Sequence, residues 1–122
     1  MTPFVTMRRA LSDGHLLGTA LGGDSWLAWR ILLIAAMGEA LTDEERAVFT
    51  KLTGREREPG ERVDELWCII GRRGGKSRAI AALLVYLATM VDYGSQLVLG
   101  ERGVVLCLAR TQEQSQGRCH AN

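Results

Sequence analysis

The sequence is short of most features that would place a protein quickly. Its 122 residues include 15 Lys or Arg and 14 Asp or Glu, for a formal net charge of +1. That balance gives the chain as a whole no electrostatic footprint for nucleic acid, so any such contact would have to be local. The three cysteines, Cys68, Cys107 and Cys119, are an odd set without paired spacing. This argues against a disulfide framework or a zinc site. Two of them sit in apolar runs, where a free thiol behaves as a small buried hydrophobe, and a reducing, cytosolic setting is the expectation. No apolar run reaches the roughly 18–20 residues that a membrane-spanning helix needs. The longest candidate, Ala79 to Val91, is too short. Arg8 and Arg9 are followed by Asp13, Gly14 and His15 instead of an apolar core, so no secretory signal is expected. Internal repeats and low-complexity tracts are absent. At 47% apolar and 24% charged, the composition is that of a globular chain of about one domain, far from a disordered one.

What is there is a succession of local signals. Residues 1–24 are weakly patterned: a short apolar-periodic piece around Met7 to Leu17 is interrupted by Ser12-Asp13-Gly14. Ser25 stands where a helix N-cap would, followed by a run to Met37 in which Arg30 is the only charge. Gly38 follows at the position of a left-handed C-terminal residue. Such a helix, apolar nearly all round, is expected to be largely buried. Core packing is the plain reading of its tryptophans. A sharper one sets Trp29 or Arg30 beside a base pocket, because an indole face stacks on adenine. Thr42-Asp43-Glu44-Glu45 spells a capping box, opening a helix that runs to about Leu52 and ends at Gly54. The charged, Pro-Gly-bearing stretch Arg55 to Arg62 reads as a solvated connector. It divides a helical lead-in, residues 1–62, from a second part, residues 63–122.

In that second part the pattern changes. Leu66 to Ile70 is a continuous apolar run bounded by acidic residues and glycine, the signature of a strand buried on both faces. A glycine-rich stretch, Gly71-Arg72-Arg73-Gly74-Gly75-Lys76-Ser77, follows at once. A helix is expected over residues 78–93, closed by Gly94, and then a second strand over Val104 to Ala109. Strand, helix and strand at this spacing make a βαβ unit with a parallel sheet and a right-handed crossover. The expected fold class is therefore α/β: the start of a P-loop parallel sheet behind a helical lead-in, and incomplete. Thr111 is a candidate cap for a short helix over Gln112 to Gln116, and the last six residues continue no pattern.

The glycine-rich stretch carries the chemistry. A phosphate cradle needs backbone amides converging where no Cβ intrudes, and Gly74 and Gly75 supply that. It needs a cation that reaches the terminal phosphates, which Lys76 provides, and a hydroxyl for magnesium, which Ser77 offers. The following helix turns its N-terminal amides toward the same point. The usual pattern has its first glycine where this chain has Ile70, and Gly71 comes one residue late. Arg72 and Arg73 are unusual inside such a loop. Either one could reach the γ-phosphate and stabilise charge that builds in transfer, Arg72 ahead of Arg73, or both are a solvated pair that only adds positive potential.

With these residues in view, Gly71-Arg72-Arg73-Gly74-Gly75-Lys76-Ser77 resembles the variant Walker A loop of the phage terminase large subunit, the ATPase that drives DNA into viral capsids. A tryptophan-bearing helix ahead of the loop (Ser25 to Gly38) and a strand leading to a Gln-containing segment (Val104 to Gln116) extend the resemblance over roughly residues 20–116. The resemblance implies an ATPase domain followed by a metal-dependent nuclease domain, with ATP and magnesium as cofactors. It implies that Gly71, Arg73, Gly74 and Gly75 line the nucleotide, that Lys76 and Ser77 hold phosphate and magnesium, and that Arg72 acts in hydrolysis. Double-stranded DNA, a portal and a small terminase subunit would be the partners, in the cytoplasm of a bacterial host, with no membrane involved. The departures are plain. The sequence has no apolar run ending in Asp-Glu to hold magnesium and orient water, no acidic cluster suited to a nuclease, and no glutamine ahead of the loop to read adenine. The expectation is thus an N-terminal, truncated portion that binds nucleotide at most. Another P-loop enzyme, such as a helicase-like motor or a small kinase, is an alternative, as is a non-catalytic nucleotide-binding or interaction fragment.

Overall fold

The computed structural model describes residues 2–71, 74–93, 97, 100–102, 104, 106 and 108. These form a small mixed α/β chain with four helices and one two-stranded antiparallel sheet. It divides into two compact units, Val5–Gly74 and Met1–Phe4 together with Gly75–Asn122.

The unit Val5–Gly74 is helical. Its first helix, α1 (Met7–Ser12), has six residues, too few to persist alone, and its N-terminal amides are held from outside. Thr6 Oγ1 accepts from the Arg9 amide, and the two oxygens of Glu39 accept from the Met7 and Arg8 amides at 2.7 and 3.0 Å. The second helix does not begin as expected. Asp24–Trp26 make a 3₁₀ turn and α2 runs from Leu27 to Ala36, so Ser25 lies inside the turn and caps nothing. The physical reason is that the Leu27 amide, one that a serine cap would accept from, is already bonded to the Asp24 carbonyl.

The C-terminus of α2 follows expectation. Gly38 adopts φ +81°, its amide bonds to the Ala35 carbonyl, and the Glu39 amide bonds to the Ile34 carbonyl. Those paired bonds close a left-handed helix end. A side chain at residue 38 would also meet the backbone of Glu61 and Arg62, so glycine is required twice over. Helix α3 (Asp43–Thr53) carries the complete Thr42–Glu45 capping box and ends on Gly54 at φ +75°.

Helix α2 packs against both α1 and α3, as an all-round apolar helix must. Ile31 and Leu33 are wholly buried, with Trp29, Ile34, Ala35 and Ala36 close behind. From the neighbouring elements Met7, Ala10, Leu11, Leu21, Leu41 and Phe49 complete the core. Burying a side chain such as Leu33 stabilises by about 1.5–3 kcal/mol. Around this core the charges are paired. Arg8 forks onto both oxygens of Glu45 at 3.0 and 2.7 Å, and Arg46 reaches Glu58 at 2.9 Å. The Arg46–Asp43 pair, at 2.9 Å, lies on a fully exposed Asp43 side chain and contributes little.

Beyond α3 the chain returns across the end of α2. Met37 and Arg62 form an isolated antiparallel bridge, and the Val63 amide bonds to the Ala36 carbonyl at 2.9 Å. The expected strand Leu66 to Ile70 comes next, and the structure differs. These residues are irregular, and Leu66, Trp67 and Ile69 are 39%, 85% and 101% exposed. A strand exists only where a ladder partner takes its amides and carbonyls, and no described residue offers one here. Of the second expected strand, Val104, Leu106 and Leu108 are described, and all three are exposed and outside regular structure. Among the described residues, then, no parallel pairing is formed. The expectation at Gly94, the rest of the expected second strand (Val105, Cys107 and Ala109) and the expectations beyond it lie outside the described residues.

The unit containing Gly75 onward is built on α4 (Lys76–Thr89), which starts two residues before the expected helix over residues 78–93 and ends four residues before its expected end. It buries Ala79, Ala82 and Tyr86, one narrow stripe, and leaves Ile80 and Val85 exposed. Val91–Asp92 (β2) then pairs antiparallel with Thr2–Pro3 (β1), Thr2 opposite Asp92 and Pro3 opposite Val91. The Phe4 amide extends the pairing to the Met90 carbonyl at 2.8 Å. Among the described residues no helix is long and apolar enough to cross a membrane.

Candidate functional site

The glycine-rich stretch is where the sequence-predicted residues fall, and Gly71 and Gly74 to Ser77 of it are described. The Gly74 amide bonds to the Gly71 carbonyl at 3.3 Å. Arg72 and Arg73, which stand between them in sequence, lie outside the described residues. Gly74 is tightly seated: a Cβ there would run into the Ile70 side chain and come within 3.2 Å of the Gly71 carbonyl oxygen. Gly75 is left-handed at φ +79°, ψ 9°, a conformation that costs other residues about 1–2 kcal/mol. Lys76 and Ser77 are the first two residues of α4 and both are exposed. The first intrahelical bond runs from the Ala79 amide to the Gly75 carbonyl at 3.1 Å.

A left-handed residue followed by right-handed ones turns successive amides toward one side, the backbone concavity that suits an anion. At α4 this concavity coincides with a helix N-terminus. No side chain caps it, because its N-cap residue is Gly75, and its first turn contains no acidic residue. Lys76 and Arg78 are instead cationic. Positive side chains at the positive end of the helix dipole are unfavourable for the bare helix, by roughly 0.3–1 kcal/mol each.

Trp29 is 6% exposed, as core packing requires, and its indole N–H donates to the Gly74 carbonyl at 2.7 Å. Forty-five positions of sequence separate the two residues, so no local signal could have announced the contact. Arg30 is engaged elsewhere, donating to the Leu21 and Gly23 carbonyls at 2.7 and 2.6 Å. Just ahead of the loop, burial pushes the Cys68 thiol above its usual range, which favours the protonated form.

Among the described residues no group of three or more His, Cys, Asp or Glu side chains is arranged to hold a metal ion. Comparison of the chain with protein-family models, with curated proteins and with solved structures finds no match.

Proposed function

We propose that the chain is the ATP-binding, N-terminal portion of a terminase-like DNA-packaging ATPase of a phage or prophage. The observation that carries this reading is the start of α4: a left-handed Gly75, no side-chain cap, no acidic residue, and Lys76 with Ser77 in the first turn. A helix whose own sequence opposes its dipole and leaves its first amides uncapped is suited to an anionic ligand. The residues present fit a phosphate group. Gly74 and Gly75 bring backbone amides close, and the Lys76 ammonium would neutralise the terminal phosphates. The Ser77 hydroxyl would hold magnesium together with the nucleotide's own oxygens, and Arg72 would stabilise charge on the γ-phosphate. The particular loop, with Arg72 and Arg73 between Gly71 and Gly74, is what favours a packaging motor over other nucleotide-binding loops.

In this reading Leu66 to Ile70 is the first strand of a parallel sheet, and its exposed apolar side chains are the face that neighbouring strands would cover. The acidic pair and the nuclease carboxylates that turnover and cleavage require are not in the sequence, so binding is the activity assigned to this chain. Calorimetric titration with ATP in the presence of magnesium tests it. Saturable binding that is lost in Lys76→Ala supports the proposal. Absence of binding by the wild-type chain overturns it and favours a non-catalytic interaction role.

A further inference from the structure

The Gly74–Gly75 peptide poses a problem that the loop cannot solve alone. Glycines on both sides leave the connecting peptide plane free to rotate, since each tolerates either sign of φ at little cost. In one orientation the Gly75 amide faces the concavity at the start of α4. In the flipped orientation a carbonyl oxygen stands there and repels an anion. Something outside the loop has to choose, and one side chain is in position to do so. The Trp29 indole N–H takes the Gly74 carbonyl at 2.7 Å from a ring that is 6% exposed.

We infer that Trp29 is a positioning residue of the phosphate loop, setting the orientation of the Gly74–Gly75 peptide and thereby aiming the Gly75 amide at a bound nucleotide phosphate. The inference rests on the phosphate-binding reading above. All peptide bonds described are trans, and in a trans peptide the N–H points opposite to the C=O. With the Gly74 carbonyl tied to the indole, the Gly75 amide must point away from it. The anchor is rigid for two reasons. Trp29 lies on α2 among wholly buried neighbours such as Ile31 and Leu33, and a packed indole has few rotamers in which to wander. A buried indole N–H also needs an acceptor, so the bond is costly to give up from either side. The left-handed φ of +79° at Gly75 is the conformation that this orientation leaves in place.

The test is Trp29→Phe in the full chain, which keeps an aromatic ring in the core and removes the donor together with part of the indole's volume. Titrated with ATP and magnesium, this variant is expected to bind about fivefold to tenfold more weakly than wild type, the size of one hydrogen bond's net contribution. Wild-type affinity in a folded Trp29→Phe protein overturns the inference while leaving the phosphate reading intact. Failure of the wild-type chain to bind at all overturns both. Because the variant can also fail to fold, the wild-type indole resonance supplies an independent readout. In a ¹⁵N-labelled chain the Trp29 indole proton is expected to exchange far more slowly than that of Trp67, whose ring is 85% exposed. It should also shift on addition of nucleotide. A Trp29 signal that exchanges freely, or that stays unmoved at saturation, overturns the inference.

Discussion

Helices α3 and α4 begin in opposite ways. Both face the same backbone problem, four amides with no partner inside the helix. At α3 the sequence solves it locally. Thr42 Oγ1 accepts from the Glu45 amide at 3.3 Å, Glu45 accepts from the Thr42 amide at 2.9 Å, and Asp43, Glu44 and Glu45 lay negative charge on the positive dipole end. At α4 a glycine stands at the cap, and the charges in the first turn are those of Lys76 and Arg78. One start is sealed by its own residues. The other has no side-chain cap and no acidic residue in its first turn. In the proposed reading, the difference separates a helix start that stabilises itself from one that receives a phosphate.

Substitutions can break or sharpen that contrast. The largest effect is expected from Lys76→Ala: affinity for ATP with magnesium falls by tenfold or more, on the scale of a charge-assisted hydrogen bond at about 1.5–3 kcal/mol. The melting temperature of the unliganded chain should stay level or rise slightly, because the lysine opposes the dipole of the bare helix. Next comes Glu45→Ala, which removes half of the capping box together with the partner of Arg8. A loss of about 1–2 kcal/mol is expected in urea denaturation, with nucleotide affinity unaffected. Thr42→Ala should cost about 1 kcal/mol by the same measurement. Glu44→Lys, which gives α3 a cation in its first turn as α4 has, should cost about 0.5–1 kcal/mol at low salt and less at high salt.

Acidification is expected to give the shallowest response, and its sign is fixed by the carboxylates. Hydrogen bonding to Arg8 holds the Glu45 carboxyl below its usual range, and hydrogen bonding to Arg46 does the same for Glu58. Each therefore binds a proton less readily folded than unfolded. Their stabilisation is full above the ordinary carboxylate value, about 4.3, and is lost as pH falls through the lower folded value. Measured by denaturation, the gap between wild type and Glu45→Gln should close across that acid window and stay constant from pH 5 to 8.

How much was legible in the sequence follows the reach of the interactions. The capping box at Thr42, the left-handed ends at Gly38 and Gly54, and the apolar helix around Ile31 are set by neighbours within a few residues, and each is formed. The N-cap expected at Ser25 is not, because a tighter turn took the Leu27 amide first. The expectation of a strand over Leu66 to Ile70 asked for more than composition can deliver. An apolar run states a preference, but a ladder needs a second edge. Without that edge, Trp67 and Ile69 stay exposed. At the loop, residue types suggested a chemistry but not the left-handed conformation of Gly75, and the Trp29 contact, made 45 positions away in sequence, was out of reach.

The six residues of α1 carry a consequence for the order in which the chain assembles. Two of its first amides rest on the Glu39 carboxylate, which follows α2 in sequence. A growing polypeptide that has released α1 but not yet Glu39 has only the Thr6 cap on that helix, and so short a segment does not persist on one cap. Helix α1 is therefore expected to be fully held only once Glu39, 32 positions beyond Met7, has been made.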